Sequence, residues 1–252
     1  MLHRRLYQFF IIYFLGLATL FIIKYVLNLS DYVIPGPAEI WQTAQSVFVR
    51  YFFNVIDTLS VAILGHLLSI CLATMVGTIG RLTLWIGSFI RVAAYNIQAY
   101  PIVAVAPIIF ILLGDGLSSR LMITAMICYF PLLLSFIGIL SEPVTEIEHF
   151  YETTLRMTWR LQVKIRAFEN IGKITTVIVG SGTLAMVGTI VSEFIAANAG
   201  IGHSIRMALY QSDLAKILVA LFLIGICTSL YLVFLEGLGQ VVQRRLKGHK
   251  SS

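Results

Sequence analysis

Six times this chain runs for about twenty residues with at most two charges, at about 7–27, 59–79, 97–113, 121–140, 174–196 and 214–238. A stretch of about 20 apolar residues is what an α-helix needs to cross the ~30 Å hydrocarbon core of a bilayer. Water is the wrong solvent for such a chain. It is 58% hydrophobic and 12% charged, where soluble domains carry roughly 45–50% and 25%, so a water-soluble globule would expose large apolar patches. The spacing predicts an all-α membrane protein of about six transmembrane helices, with residues 1–252 as a single membrane domain and no room for a soluble catalytic module.

Arg4 and Arg5 ahead of the apolar run Tyr7–Leu27 have the look of a secretory signal. The run is of spanning length and ends in no small-x-small cleavage site, so it is expected to be a retained first span. Between the second and third spans, residues 82–94 are apolar but interrupted by Arg91, and are expected to be interfacial or partly inserted. The third stretch carries Pro101 and Pro107 and ends in the turn signal Gly114-Asp115-Gly116. Pro131 is expected to kink the fourth, since neighbouring helices can satisfy the freed carbonyl. Cys71, Cys128 and Cys227 lie apart in apolar runs, as small membrane-helix residues do, and form no metal or disulfide pattern. No motif calls for a cofactor.

The basic residues orient the chain. With six spans and both ends on one side, that side holds Arg4, Arg5, Arg81, Arg91, Arg156, Arg160, Lys164, Arg166, Lys173, Arg244, Arg245, Lys247 and Lys250. The other side holds Arg50, Arg120, Arg206 and Lys216, with Lys24 near the end of the first span. Lys and Arg concentrate in cytoplasmic loops, so both termini are expected in the cytoplasm of a multi-pass plasma (inner) membrane protein. The net charge of +6 is explained by that asymmetry and does not call for nucleic acid.

The loop 141–173 is the most charged segment. Glu148, Glu152, Arg156, Arg160 and Lys164 step by four residues, which on a continuous helix stripes one face, with Leu155, Trp159, Val163 and Ile165 between them. Two readings fit: a solvated connecting helix held by such pairs, or a docking helix seated in a partner's groove.

The same loop resembles a known motif. Glu152-Thr153-Thr154-Leu155-Arg156-Met157-Thr158 is similar to the E-A-A-x-x-x-G segment of binding-protein-dependent ABC importer permeases, with threonines for both alanines and for the glycine and without the apolar-Pro pair that follows. Four flanking segments resemble the nitrate/sulfonate/taurine-like group of these permeases: Ile34-Pro35-Gly36-Pro37 through Trp41; Pro101 through Ala104 to Pro107 with Gly114-Asp115-Gly116; Tyr129-Phe130-Pro131; and Val191-Ser192-Glu193 with Gly200-Ile201-Gly202. They occur in the family's order over about residues 33–216. The resemblance implies a type I ABC importer permease fold and a second permease copy, in a homodimer or heterodimer. It implies ABC ATPase subunits seated on residues 152–158, and a solute-binding protein at the far side of the bilayer. The implied solute is small, an anion such as nitrate, a sulfonate or taurine, or a vitamin precursor.

Residues of the spans themselves leave alternatives open. Glu193 either faces the pathway or is hydrogen-bonded to backbone in the turn 196–202. His66 suits an interhelical hydrogen bond better than a ligand role. Tyr100, Pro101 and Pro107 suit an unwound pathway lining or packing kinks, and Gly182 with its small neighbours suits either lining or close packing. Asp57 and Asp213 are expected at helix N-termini, where the dipole favours a carboxylate, and Lys24 is expected to snorkel.

No G-x-x-x-x-G-K-[ST] occurs, since Gly172-Lys173-Ile174 lacks both the hydroxyl and the upstream glycine, and neither H-E-x-x-H nor G-x-S-x-G appears. A transport subunit without its own ATPase is therefore the leading expectation. A secondary transporter, which would show internal repeats and several buried charges, and an intramembrane enzyme are the rivals.

Overall fold

A computed structural model of the chain describes residues 2–248 and shows ten helices there. They are α1 (Leu2–Val26), α2 (Pro37–Ile79), α3 (Leu84–Gln98), α4 (Ile102–Leu113), α5 (Leu117–Ser141), α6 (Thr145–Thr153), α7 (Trp159–Glu169), α8 (Ile171–Ile195), α9 (Gly200–Tyr210) and α10 (Leu214–Gly248). Of the basic residues counted for orientation, Lys250 and the side chains of Arg4 and Lys247 lie outside the described residues.

Five of these helices, α1, α2, α5, α8 and α10, are long and apolar enough to cross a membrane, and the α3–α4 pair supplies a sixth crossing if taken together. That pair departs from expectation. Residues 97–113 are not one straight span: the chain turns by 89° between α3 and α4. Pro101 has no N–H to continue the helix, and its ring disfavours helical backbone at Tyr100. At 1.5 Å per residue α4 is only about 18 Å long, too short to cross alone. Conversely, α2 is twice the expected length. Its 43 residues begin at Pro37, pre-set for a first helical position behind Gly36, and its N-terminal half carries Glu39, Arg50 and Asp57 ahead of the expected span. α5 runs unbroken through Pro131.

At the centre stands α5, packed between α2 and α8, with α10 closing the other side of α2 and α8. The main core joins Ala62 and Ala73 of α2 to Cys128, Leu132, Leu133, Phe136 and Ile137 of α5 and to Ala185 and Met186 of α8. In lipid, helices associate through close van der Waals contact, because tails are as apolar as the side chains. Gly65 shows the requirement: a Cβ there would lie 2.6 Å from Thr124 Cγ2. α1 packs mainly on α10, through Phe9, Phe10 and Tyr13 against Phe222 and an ion pair between Arg5 and Glu236.

Side-chain contacts sort the loops into two ends. At one end, Arg81 of the α2–α3 loop donates to Ser141 and Gln162, and Lys173 pairs with Glu142. At the other, Asp115 of the α4–α5 turn accepts from Asn198 of the α8–α9 turn, and Asn54 donates to Ser204. This grouping is what six crossings require.

Candidate coupling and pathway sites

Between α5 and α8 the chain folds back as a helical hairpin, α6–α7, instead of one charged helix. The expected stripe Glu148–Glu152–Arg156–Arg160–Lys164 is broken, because α6 ends at Thr153 and α7 starts at Trp159. The local chemistry explains the break. The hydroxyls of Thr153 and Thr154 donate back to the carbonyls of His149, Phe150 and Tyr151, bonds that compete with helix continuation. Leu155 then takes a left-handed conformation, φ 55°. Its N–H reaches Glu152 O at 3.0 Å and the Arg156 N–H reaches Tyr151 O at 3.0 Å. These are the paired bonds of a Schellman motif, whose left-handed position glycine normally fills. Thr158 caps α7 by accepting from the Leu161 N–H at 3.3 Å.

One ion pair joins the two helices of the hairpin, and its arginine ties them to the end of α5. Arg166 grips Glu148 through Nε to Oε1 at 2.6 Å and Nη2 to Oε2 at 2.7 Å, and donates from Nη1 to Leu140 O at 3.0 Å and Ser141 O at 3.1 Å. One guanidinium thus holds both helices of the hairpin and caps the orphan carbonyls ending α5. Glu148 also accepts from the Val144 N–H and from Gln162. The Arg166 hydrogen bonds hold its carboxyl at about 2, against an ordinary 4.5. The seven residues 152–158 make the tip: all are exposed except Met157, which is half-buried, and Leu155 is 95% exposed.

At the opposite end sits a buried charged cluster. Glu193 is fully buried. It accepts from Thr58 at 2.7 Å and from the Gly202 N–H at 3.0 Å, and it pairs with Arg120, itself 5% exposed. Arg120 also reaches Asp57 at 2.7 Å. The carboxylate lies at the N-terminus of α9, where unpaired N–H groups and the helix dipole favour an anion. Gly200 makes the approach possible. Its φ is +88°, and a Cβ there would overlap the Glu193 carboxylate. Four elements, α2, α5, α8 and α9, therefore meet on one side chain, which accounts for the Glu193…Gly200-x-Gly202 spacing. Arg120 is no loop cation, and Asp57 sits inside α2 as its partner and caps no helix start. Both are corrections to the expected placement. Asp213 does cap a helix, accepting from the Lys216 N–H at 3.0 Å. Lys24 pairs with Asp31.

The remaining span residues divide. His66 is buried with both ring nitrogens occupied, Nδ1 by the Tyr231 hydroxyl at 2.6 Å and Nε2 by Ser181 Oγ at 2.8 Å, tying α2, α8 and α10 together. Gly182 is closed in: a Cβ would lie 2.7 Å from Leu235 Cδ1 and 3.2 Å from Leu232 Cδ2. It packs closely against α10, the second of the two expected alternatives. Gly180 has nothing within 4 Å and belongs to the exposed row of α8 with Thr176, Thr183 and Val187. Tyr100, Pro101 and Pro107 are all exposed around the α3–α4 bend, apart from the Glu193 cluster.

Two buried, ion-paired arginines escaped the sequence. For Arg120 a signal existed: it borders an otherwise uncharged span, and Asp57 and Glu193 are the acids at matching depth. For Arg166, 18 residues from its partner, no local spacing points to Glu148.

The family described as "Binding-protein-dependent transport system inner membrane component" matches residues 69–248. The riboflavin transport system permease protein RibX of Chloroflexus aurantiacus is 30% identical over 212 residues, covering 82% of this chain and 78% of that protein. The formylaminopyrimidine transport permease protein ThiX of Halalkalibacterium halodurans is 23% identical, covering 85% and 86%. A probable ABC transporter permease protein of Haemophilus influenzae is 25% identical, covering 66% and 71%.

Proposed function

The chain belongs to the binding-protein-dependent transport system inner membrane components, the permeases of ABC importers for small solutes, and from that premise we propose that the α6–α7 hairpin is its coupling element to a separate ATPase. In this reading two permease copies, each with an ATPase on its hairpin tip, carry a solute delivered at the opposite face by a binding protein. Both termini are cytoplasmic.

Leu155 carries the proposal. A non-glycine residue in the left-handed region costs roughly 1–2 kcal/mol, and a 95% exposed leucine returns nothing to its own chain. Strain held at an exposed apolar tip fits a contact made by a partner. Glu152, Arg156 and Arg160 around it supply charges to orient that contact. The Arg166–Glu148 rivet would then pass a push at the tip to the end of α5.

Replacing Leu155 with glycine separates the two roles. The turn should become more stable by about 1 kcal/mol, since glycine takes this conformation freely. ATPase retention in mild detergent should fall about tenfold or more, as expected for loss of an apolar anchor worth ~1.5–3 kcal/mol. A Leu155→Gly protein that keeps its full ATPase complement would reduce the hairpin to a connector.

For the pathway, the exposed row Thr176, Gly180, Thr183 and Val187 on α8 is our candidate wall, with Tyr100, Pro101 and Pro107 beside the broken crossing. The row is small and hydroxyl-bearing where the exposed faces of α2 and α10 are leucine- and phenylalanine-rich. The cation beside it, Arg5, is already paired with Glu236. That, and the relatives named for riboflavin and formylaminopyrimidine, favour an uncharged, vitamin-like solute over nitrate or a sulfonate.

A further inference from the structure

Where the coupling hairpin meets the foot of the bundle there is an apolar groove of about 580 Å³. Ile147 of α6, Ile165 and Phe168 of α7, Ile171 at the start of α8 and Leu246 near the end of α10 form its walls, with Lys164 and Glu169 among its polar lining. Leu246 does not stand alone. On α10 the exposed residues Leu230, Phe234, Leu238, Val242 and Leu246 recur every four positions, which puts them in one row along the helix. The last member of this row, Leu246, is itself a wall of the groove.

We propose that the groove is a binding site for one phospholipid, with an acyl chain laid along the α10 row into the groove and its phosphate on Lys164. Three observations carry the assignment. Leu246 belongs to both the apolar row of α10 and the groove, so a chain lying along that row is led to the groove. Lys164 is exposed, and a lysine ammonium is a natural point charge for a phosphate. Two of the walls, Ile171 and Leu246, are the end residues of spanning-length apolar segments of α8 and α10, while Leu155 stands on the tip, formed by other residues. In this reading a protein partner grips the tip and the lipid holds the foot. The occupied groove would wedge the hairpin against α8 and α10, so the lipid is a structural part of the lever. The proposal rests on the proposed topology only for which leaflet supplies the lipid.

The test is native mass spectrometry of the full chain, released from nanodiscs of phosphatidylethanolamine and phosphatidylglycerol without any ATPase. One phospholipid should persist on the wild-type chain after the annular lipid is stripped. Lys164→Glu should lower its occupancy about fivefold or more, while Lys164→Arg, which keeps the charge, should retain it. Leu246→Ser, which interrupts the row at its entrance, should also lose it. A wild-type chain stripped to zero lipids would overturn the site, as would equal retention in Lys164→Glu. Since no ATPase is present, a failure here leaves the coupling proposal to its own test at Leu155.

Discussion

Glu148 and Arg166 are the pair that joins the α6–α7 hairpin, and their chemistry sets a pH window. The Glu148 carboxyl is held at about 2 in the folded chain against an ordinary 4.5. Its contribution is therefore complete above about 4.5 and is lost as the pH falls from there toward 2. Hydrogen exchange in α6 should stay slow from neutral pH to about 4.5 and quicken below it once intrinsic rates are allowed for, with the spanning part of α5 unaffected. Glu148→Gln removes the titrating group, so its exchange should be faster at neutral pH and nearly flat across the window. It leaves Arg166 buried beside a neutral partner, an unpairing that typically costs ~3–5 kcal/mol. If the wild-type and Glu148→Gln profiles coincide, the pair is not what holds the hairpin. At the other end Glu193 and Arg120 are likewise paired charge to charge, and the remaining carboxylate valence goes to Thr58 and the Gly202 N–H.

Among the elements, α8 distinguishes most clearly between packing and lining. Gly180 and Gly182 are two residues apart on one helix and face opposite ways, the first open and the second under α10. In a complex of the full chain, Gly180→Cys and Thr183→Cys should react with a membrane-impermeant methanethiosulfonate, and Gly182→Cys should not. Cys71, exposed on the apolar face of α2, is the built-in lipid-facing reference. Reaction at Gly180→Cys no faster than at Cys71 would place the α8 row in lipid and remove it from the pathway. Much of this level was legible in the sequence, because crossing a bilayer imposes a length and an apolarity that a single segment displays. Less legible was whatever depends on a neighbour. The N-terminal half of α2 is helical although its charges interrupt the apolar pattern, since Val47, Tyr51 and Val55 pack on α9 and α10 and Arg120 pairs with Asp57. The α3–α4 bend follows from Pro101, whose signal was present but read as a kink within one span. The hairpin was hidden because spacing by four describes a helix only where the backbone stays helical, and Thr153, Thr154 and Leu155 end it.

At the scale of the whole molecule, the two loop clusters must lie on opposite sides of the membrane, and the basic residues say which is which. The end holding the α2–α3 loop and the hairpin carries Arg81, Arg156, Arg160, Lys164 and Lys173. The end holding the α4–α5 and α8–α9 turns has Arg206 and Lys216, with Arg50 on the outer part of α2. Removing Arg120 from that second group, since it is buried in the bundle, sharpens the bias, and Lys and Arg favour the cytoplasm. In a background lacking native cysteines, Thr158→Cys should resist an impermeant maleimide in intact cells and react once the membrane is opened. Gln211→Cys, exposed at the start of the α9–α10 turn, should react from outside at once. The reverse pattern would do more than invert the topology. An ATPase confined to the cytosol could not reach Leu155, so the coupling proposal would fall with it, whereas the fold, the Glu193 cluster and the lipid groove are properties of the chain that hold in either orientation.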